Sequence, residues 1–252
     1  FSIALALSDK LDTLVGFFGI DQRPTSSKDP YALRRIALGI IRLLIENNKN
    51  FKIKDLINYS IKLYEEQSFK FKNKLVEKEV ADFLLERLKY YMKEKNIRAD
   101  IIEASLNSFG INQVTKIYKK STALNKLINK EIGNNIISSY KRASNILKHE
   151  SNDKELEISN SVDTAIFKNE YEKNLYKKIR ELRKYFTSIN KDENFEKTLK
   201  NLAESKKVIY EFFDNVKVND EDKTIQKNRL ELLNMLCKTF DNYIVFSNIE
   251  SL

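Results

Sequence analysis

The chain has little of what most catalytic sites are built from: one histidine, His149, and one cysteine, Cys237, among 252 residues. A single cysteine excludes an internal disulfide and suits a reducing cytoplasm. Cys237 shares a helical pattern with Leu232, Leu233, Leu236 and Phe240, so a small apolar filler is expected there. A hydrolytic metal centre needs clustered His and Asp ligands to hold the ion and lower the pKa of its water, and one histidine far along the chain from Asp9 and Asp12 does not provide them. Those two aspartates read as helix-surface carboxylates. No glycine-rich loop that could cradle a phosphate occurs, and no nucleophilic triad is recognisable, so neither ATP binding nor covalent catalysis is expected. No apolar run reaches membrane-spanning length. The start at Phe1, without a basic leader or a cleavage-site pattern, is expected to be a cut through a longer chain rather than a signal peptide.

Helix breakers are also scarce. Pro24, Pro30, Gly16, Gly19 and Gly39 all precede residue 40, leaving only Gly110 and Gly133 in everything that follows. Long helices are the natural consequence, and no hairpin signal competes with them. Asp29-Pro30 predicts an N-cap with proline at the first helical position, followed by Leu33, Ile36, Ala37, Ile40, Ile41 and Leu44 at helical spacing. Further helices are predicted by Leu75, Val80, Phe83, Leu84, Leu88 and Tyr91; by Ile101, Ile102, Ser105, Leu106 and Phe109; and by Ile166, Phe167, Tyr171, Leu175, Ile179, Leu182 and Phe186. The polar stretch 151–163 reads as a loop, and Asp220-Glu221-Asp222 as the cap of the last long helix. The expected fold is all-α, with 42% hydrophobic residues and a mean hydropathy of −0.49 indicating a water-facing globular chain with a substantial core.

Charge is abundant but uneven. Between Lys116 and Lys148 lie eight basic residues (Lys116, Lys119, Lys120, Lys126, Lys130, Lys141, Arg142 and Lys148) against one acidic residue, Glu131, in a chain whose net charge is +9. Such a concentration suits a polyanionic partner, although lysine is also the default surface residue of a chain with 35 Lys and 10 Arg. Ile136, Ile137, Tyr140, Ala143, Ile146 and Leu147 form an inward stripe there. Lys141, Asn145 and Lys148 then fall on the exposed side, with Arg142 beside them. An asparagine in mid-helix is intrinsically unfavourable and invites a functional reason. A planar amide offers a donor and an acceptor together, a guanidinium offers a rigid donor fork, and lysines hold phosphates without reading sequence.

The blocks Ala4-Leu5-Ala6-Leu7-Ser8-Asp9-Lys10-Leu11-Asp12-Thr13-Leu14-Val15-Gly16-Phe17-Phe18 and Ser27-Lys28-Asp29-Pro30-Tyr31-Ala32-Leu33-Arg34-Arg35-Ile36-Ala37-Leu38-Gly39 closely resemble the β subunit of bacterial heterotetrameric glycyl-tRNA synthetase. Lys141-Arg142-Ala143-Ser144-Asn145-Ile146-Leu147, Phe212-Phe213-Asp214-Asn215-Val216 and Asn228-Arg229-Leu230-Glu231-Leu232-Leu233 follow in the family's order. Departures are mild: Ser8, Ser26 and Ala143 stand where the family pattern suggests Ala, Gly and Val.

Gly110 and Asn112 sit just before the charge bias begins and put a domain junction near residue 112, and the resemblance implies what lies on either side of it. Residues 1–112 would be the C-terminal part of a helical region similar to the HD phosphohydrolase domain, with Asp9 or Asp12 at its last motif element, and 113–252 a helical anticodon-binding domain of the DALR type. It implies tRNA(Gly) and the synthetase α subunit as partners in an α2β2 cytoplasmic enzyme, with no role for DNA or a membrane. Glycine activation, with ATP and Mg, would belong to the α subunit, leaving this segment non-catalytic and without a cofactor of its own. Glycine anticodons end in two cytosines, whose edges require both donors and an acceptor. The residues expected at the tRNA are Lys141, Arg142, Asn145, Lys148 and Arg229, with Tyr118 or Tyr140 as stacking candidates. A salt bridge to an acidic neighbour is the competing role for Arg229, and a core position the competing role for Tyr140. Two other readings stay open: a helical scaffold for protein partners, and a degenerate phosphohydrolase-like domain that keeps only the architecture.

Overall fold

Helices follow one another along the chain much as the apolar spacing requires. The computed structural model describes residues 2–109, 113–128, 130–151, 158, 161–188 and 194–249. The helices are α1 Ser2–Gly19, α2 Leu33–Glu46, α3 Ile53–Glu66, α4 Val76–Glu94, α5 Ala99–Phe109, α6 Val114–Ile128, α7 Glu131–Ser151, α8 Glu170–Ser188, α9 Phe195–Ala203, α10 Lys206–Asn215 and α11 Lys223–Asp241. Short 3₁₀ turns occupy Thr164–Ile166 and Phe246–Asn248, and no strand occurs among the described residues. No helix is long and apolar enough to cross a membrane among the described residues. Most of the stretch expected as a loop at 151–163, and the Gly110 and Asn112 that suggested the junction, lie outside the described residues. The chain divides into two units, Phe1–Ile102 with Phe109–Thr122, and Glu103–Ser108 with Ala123–Leu252.

In the first unit α1 packs on α2, α3 and α4. Leu14, Val15, Ile40, Ile41, Leu84 and Leu88 are fully buried, each contributing roughly 1.5–3 kcal/mol on leaving water. The end of α1 is fixed by a close approach: a Cβ on Gly19 would fall 1.9 Å from Phe71. The Gly19 carbonyl accepts from the Lys72 and Asn73 amides, while the Asn73 side chain donates to Phe18 O and to Glu79. Helix α2 begins later than predicted, at Leu33, with Ala32 at φ 54°. Asp29 nonetheless caps it from a distance, its carboxylate accepting from the Leu33 amide at 2.8 Å and the Arg34 amide at 3.0 Å. Leu75, assigned from sequence to the α4 stripe, precedes that helix and is exposed.

The second unit is built on α7 and α11, with α10 packed on both α7 and α8 and α9 against α7. Tyr140, Phe240 and Phe246 form an aromatic cluster, and the Tyr140 hydroxyl donates to Asp241 at 3.0 Å. Burial first, and Asp241 next, push the Tyr140 phenol well above its ordinary range. Helix α8 starts at Glu170, so Ile166 and Phe167 are not on it; Ile166 sits in the 3₁₀ turn. Its start is a capping box: the Asn169 side chain accepts from the Glu172 amide at 3.0 Å, and Glu172 accepts from the Asn169 amide at 3.1 Å. Of the acidic triplet before α11, Asp222 is the cap, accepting from the Thr224 and Ile225 amides. Gly133 lets α7 meet the end of α6, since a Cβ there would lie 2.3 Å from the Leu127 carbonyl oxygen.

Candidate nucleic-acid interface

The basic window is divided between the two units. Lys116, Lys119 and Lys120 belong to the first unit and the other five basic residues to the second. Lys120, counted in that window, is only 2% exposed, and Lys119 donates to the Asn48 side chain. Tyr118 packs on Tyr91 in the first unit with ring centroids 5.6 Å apart. Tyr140 is core, as its competing reading had it.

Arg229 is the clearest correction. Its side chain is 6% exposed, with Nε donating to Glu172 at 2.7 Å and Nη1 to Asp220 at 2.6 Å and to Lys217 O at 2.9 Å. Glu172 is itself 1% exposed. The Asp222 amide first, and Arg229 next, hold the Asp220 carboxyl below its usual range. The neighbouring Asn228 side chain accepts from the Asp163 amide at 2.8 Å and donates to the Asp163 carbonyl at 2.9 Å. The Asn-Arg pair therefore ties the 3₁₀ turn, the start of α8 and the turn before α11 to one helix. A buried charge survives only when paired and hydrogen-bonded, and this guanidinium is engaged inside the unit rather than presented to a ligand.

The α7 face behaves differently. Ile136, Ile137, Tyr140 and Ala143 are buried as predicted, whereas Ile146 and Leu147 are half-buried. Arg142, Asn145 and Lys148 are exposed and Lys141 is half-buried. Facing Arg142 across the α7–α10 contact is the Phe212-Phe213 block. Phe212 is fully buried and Phe213 half-buried, as neighbouring positions on an amphipathic helix must be. The Arg142 guanidinium lies 4.5 Å from the Phe213 ring centroid and 5.9 Å from that of Tyr210, and reaches Asp214 at 3.6 Å. Lys206 sits 5.4 Å from the Tyr210 centroid, and the Tyr210 and Ser138 hydroxyls are 3.4 Å apart.

The result is a surface strip in which aromatic rings alternate with cations. Rings and a planar guanidinium can stack on unpaired bases, an amide one turn further along α7 can meet a base edge, and ammonium groups can meet phosphates. Sequence reasoning placed Arg142 and Asn145 but missed Tyr210, Phe213 and Lys206. The signal was present in Lys206, Tyr210 and Phe213 at i, i+4 and i+7, with two adjacent phenylalanines that could not both face the core.

On α1, Asp9 and Asp12 are exposed. The Tyr64 phenol is pushed up to about 12, by burial first and by Asp12 next. Among the described residues no group of three metal-ligating side chains comes together.

The second unit carries this aromatic and basic strip on α7 and α10, and comparison with known proteins gives the class of the fold. Residues 136–251 match the DALR anticodon binding domain, and residues 1–107 match the family described as glycyl-tRNA synthetase beta subunit. The glycine–tRNA ligase beta subunit of Rickettsia africae (strain ESF-5) is 38% identical over 245 residues, covering 97% of this chain and 34% of that protein. The beta subunit from Rickettsia prowazekii (strain Madrid E) is 37% identical over the same shares. The one from Ruegeria sp. (strain TM1040) is 32% identical over 249 residues, 99% of this chain and 35% of that protein. The chain belongs to the glycyl-tRNA synthetase beta-subunit family, and it spans about a third of the length of the relatives it matches.

Proposed function

We propose that this chain is the tRNA-binding part of a glycine–tRNA ligase β subunit, and that it recognises tRNA(Gly), anticodon included. The observation that carries this reading is the exposed Arg142 guanidinium over Phe213, beside Asn145 and Tyr210, inside the segment that matches an anticodon-binding domain. Arg142 and Asn145 read base edges, Phe213 and Tyr210 provide stacking faces, and Lys141, Lys148 and Lys206 neutralise phosphates. The chain acts in the cytoplasm with the α subunit, in an α2β2 enzyme. Glycine activation occurs on α, where ATP and Mg are held, and this segment needs no cofactor of its own. Residues 113–252 are proposed as the anticodon-binding domain and 1–112 as the HD-like region.

Titration with tRNA(Gly) and with an anticodon-swapped tRNA tests the reading. Arg142→Ala or Asn145→Ala should cost roughly 1–3 kcal/mol against tRNA(Gly), the range for a good base contact, and little against the swapped tRNA. Lys141→Ala and Lys148→Ala should weaken both equally, since phosphates carry no sequence information. Equal loss on both tRNAs from Arg142→Ala, with the fold intact, would remove the anticodon-reading role from this strip.

A further inference from the structure

We infer that the outward face of α8 is a second RNA-binding surface that tracks the phosphodiester backbone of the tRNA docked on α7 and α10. The inference rests on the reading of that strip as a tRNA site. On α8, Leu175, Ile179 and Leu182 are buried and define the inward side. Opposite them, Lys173, Lys177, Arg180 and Lys184 recur at i, i+4, i+7 and i+11, and all four are exposed. At 1.5 Å rise per residue the row is about 16 Å long, with one cation per turn.

No ion pair engages any of the four among the described residues, although pairs at i,i+4 spacing form elsewhere, as in Lys62–Glu66 and Lys207–Glu211. Glu170 and Glu181 flank the row without forming an ion pair with it, and Glu181 lines a depression together with Lys177, Arg180, Arg183, Lys184 and Thr187. Arg183 is fixed there, Nε donating to Thr239 Oγ1 at 3.0 Å. Its charged form is disfavoured by burial and then by Arg180 beside it, so a bound anion would relieve a repulsion that the fold leaves in place.

The chemistry of the face selects the partner. No large apolar side chain is exposed on α8, which leaves nothing to enter a membrane or to anchor a protein interface. A regular row of exposed cations suits a linear polyanion held without regard to sequence, because ammonium and guanidinium groups neutralise phosphates whatever base is attached. Because α10 packs on both α7 and α8, the strip and the row are parts of one unit and can be engaged by one molecule. Net charge concealed the row: α8 also carries Glu170, Glu172 and Glu181, but Glu172 points inward to Arg229.

The test is a quadruple neutralisation, K173Q/K177Q/R180Q/K184Q, in the whole chain, with tRNA binding followed against salt concentration. Glutamine is a good helix former at exposed sites, and helix content and Tm of the variant serve as the folding control. The log–log salt slope should fall by about 0.7 for each single-strand phosphate that is no longer neutralised, or about 0.9 on duplex RNA. Affinity should drop equally for tRNA(Gly) and the swapped tRNA. A conservative K173R/K177R/R180K/K184R variant should retain the slope, which separates charge from helix damage. If the wild type binds tRNA and Arg142→Ala weakens it while the quadruple variant keeps the full slope, the α8 row is not a docking surface and the strip still stands. If the wild type shows no salt-sensitive tRNA binding, the reading of the strip fails first. Loss of binding to anionic lipid vesicles with tRNA binding unchanged would overturn the RNA assignment.

Discussion

Replacing Arg229 by methionine keeps most of the side-chain volume and removes only the guanidinium. Glu172, 1% exposed, then loses its 2.7 Å partner while remaining in the interior. Breaking a buried pair from one side costs about 3–5 kcal/mol, because the remaining charge is left uncompensated. Glu172 still accepts from the Lys168 and Asn169 amides, so the low end, about 3 kcal/mol, is expected. For a domain of this size that is a fall of roughly 6–12 °C in the melting transition of the second unit. Urea titration followed by circular dichroism would show the same loss as a lower midpoint with an unchanged slope. Adding Glu172→Gln to Arg229→Met should recover part of the loss, since the stranded charge is removed as well. Binding of tRNA, measured below the transition, should stay at the wild-type value. Unchanged stability with a selective loss of tRNA affinity would refute the reasoning and return Arg229 to the ligand surface.

Gly133→Ala gains up to about 1 kcal/mol of helix propensity, but its Cβ would lie 2.5 Å from Ile128 Cα, and an overpacking cost of about 1–3 kcal/mol should prevail as a lower urea midpoint. Asn228→Ala removes both bonds to the Asp163 peptide and should cost about 2 kcal/mol, with faster amide hydrogen exchange at residues 163–166 as the local signature. The Cys237 thiol, pushed up to about 12 from 9.0 by burial and then by Asp241, should resist thiol reagents in the native state at neutral pH. Its raised folded value means that its contribution to stability is present below pH 9.0 and is lost as pH rises towards 12, so Cys237→Ala should flatten alkaline unfolding over that window.

Apolar spacing revealed the helices because burial fixes which residues face inward; the inward face of α2 follows it closely, that of α7 from Ile136 to Ala143, and that of α8 at Leu175, Ile179 and Leu182. Helix starts were less legible. Asp29-Pro30 looks like a cap with proline at the first turn, yet the chain makes a left-handed step at Ala32 and the same carboxylate caps from further away. Spacing along one helix reports nothing about the partner helix. Arg229 and Arg142 both stand in amphipathic segments, and only the packing of α8 and of the turn before α11 makes one of them interior. Lys120, a charged residue on α6, is buried in the same way. The candidate strip was half visible because α7 carries its own polar face. Its other half needed the contact between α7 and α10, which no local pattern encodes.

Arg142 and Arg229 show how one residue type divides between frame and surface. A guanidinium offers a rigid fork, so fixing it costs less entropy per bond than fixing an ammonium. Inside, three acceptors hold Arg229 and nothing is left for a ligand to displace cheaply. Outside, Arg142 is held by a ring and by Asp214, whose side chain is 65% exposed. An exposed ion pair of this kind contributes about 0–1 kcal/mol, and an exposed cation–π contact about 0.5–1 kcal/mol. Those energies suffice to orient the fork and are small enough for an incoming phosphate or base edge to replace Asp214. The surrounding lysines are flexible point charges and need no such orientation. On the proposed reading, sequence discrimination would reside in the prearranged Arg142 and in Asn145, and salt-dependent affinity in the lysines. Raising ionic strength should therefore weaken tRNA(Gly) and anticodon-swapped tRNA together, leaving the ratio of their affinities nearly constant.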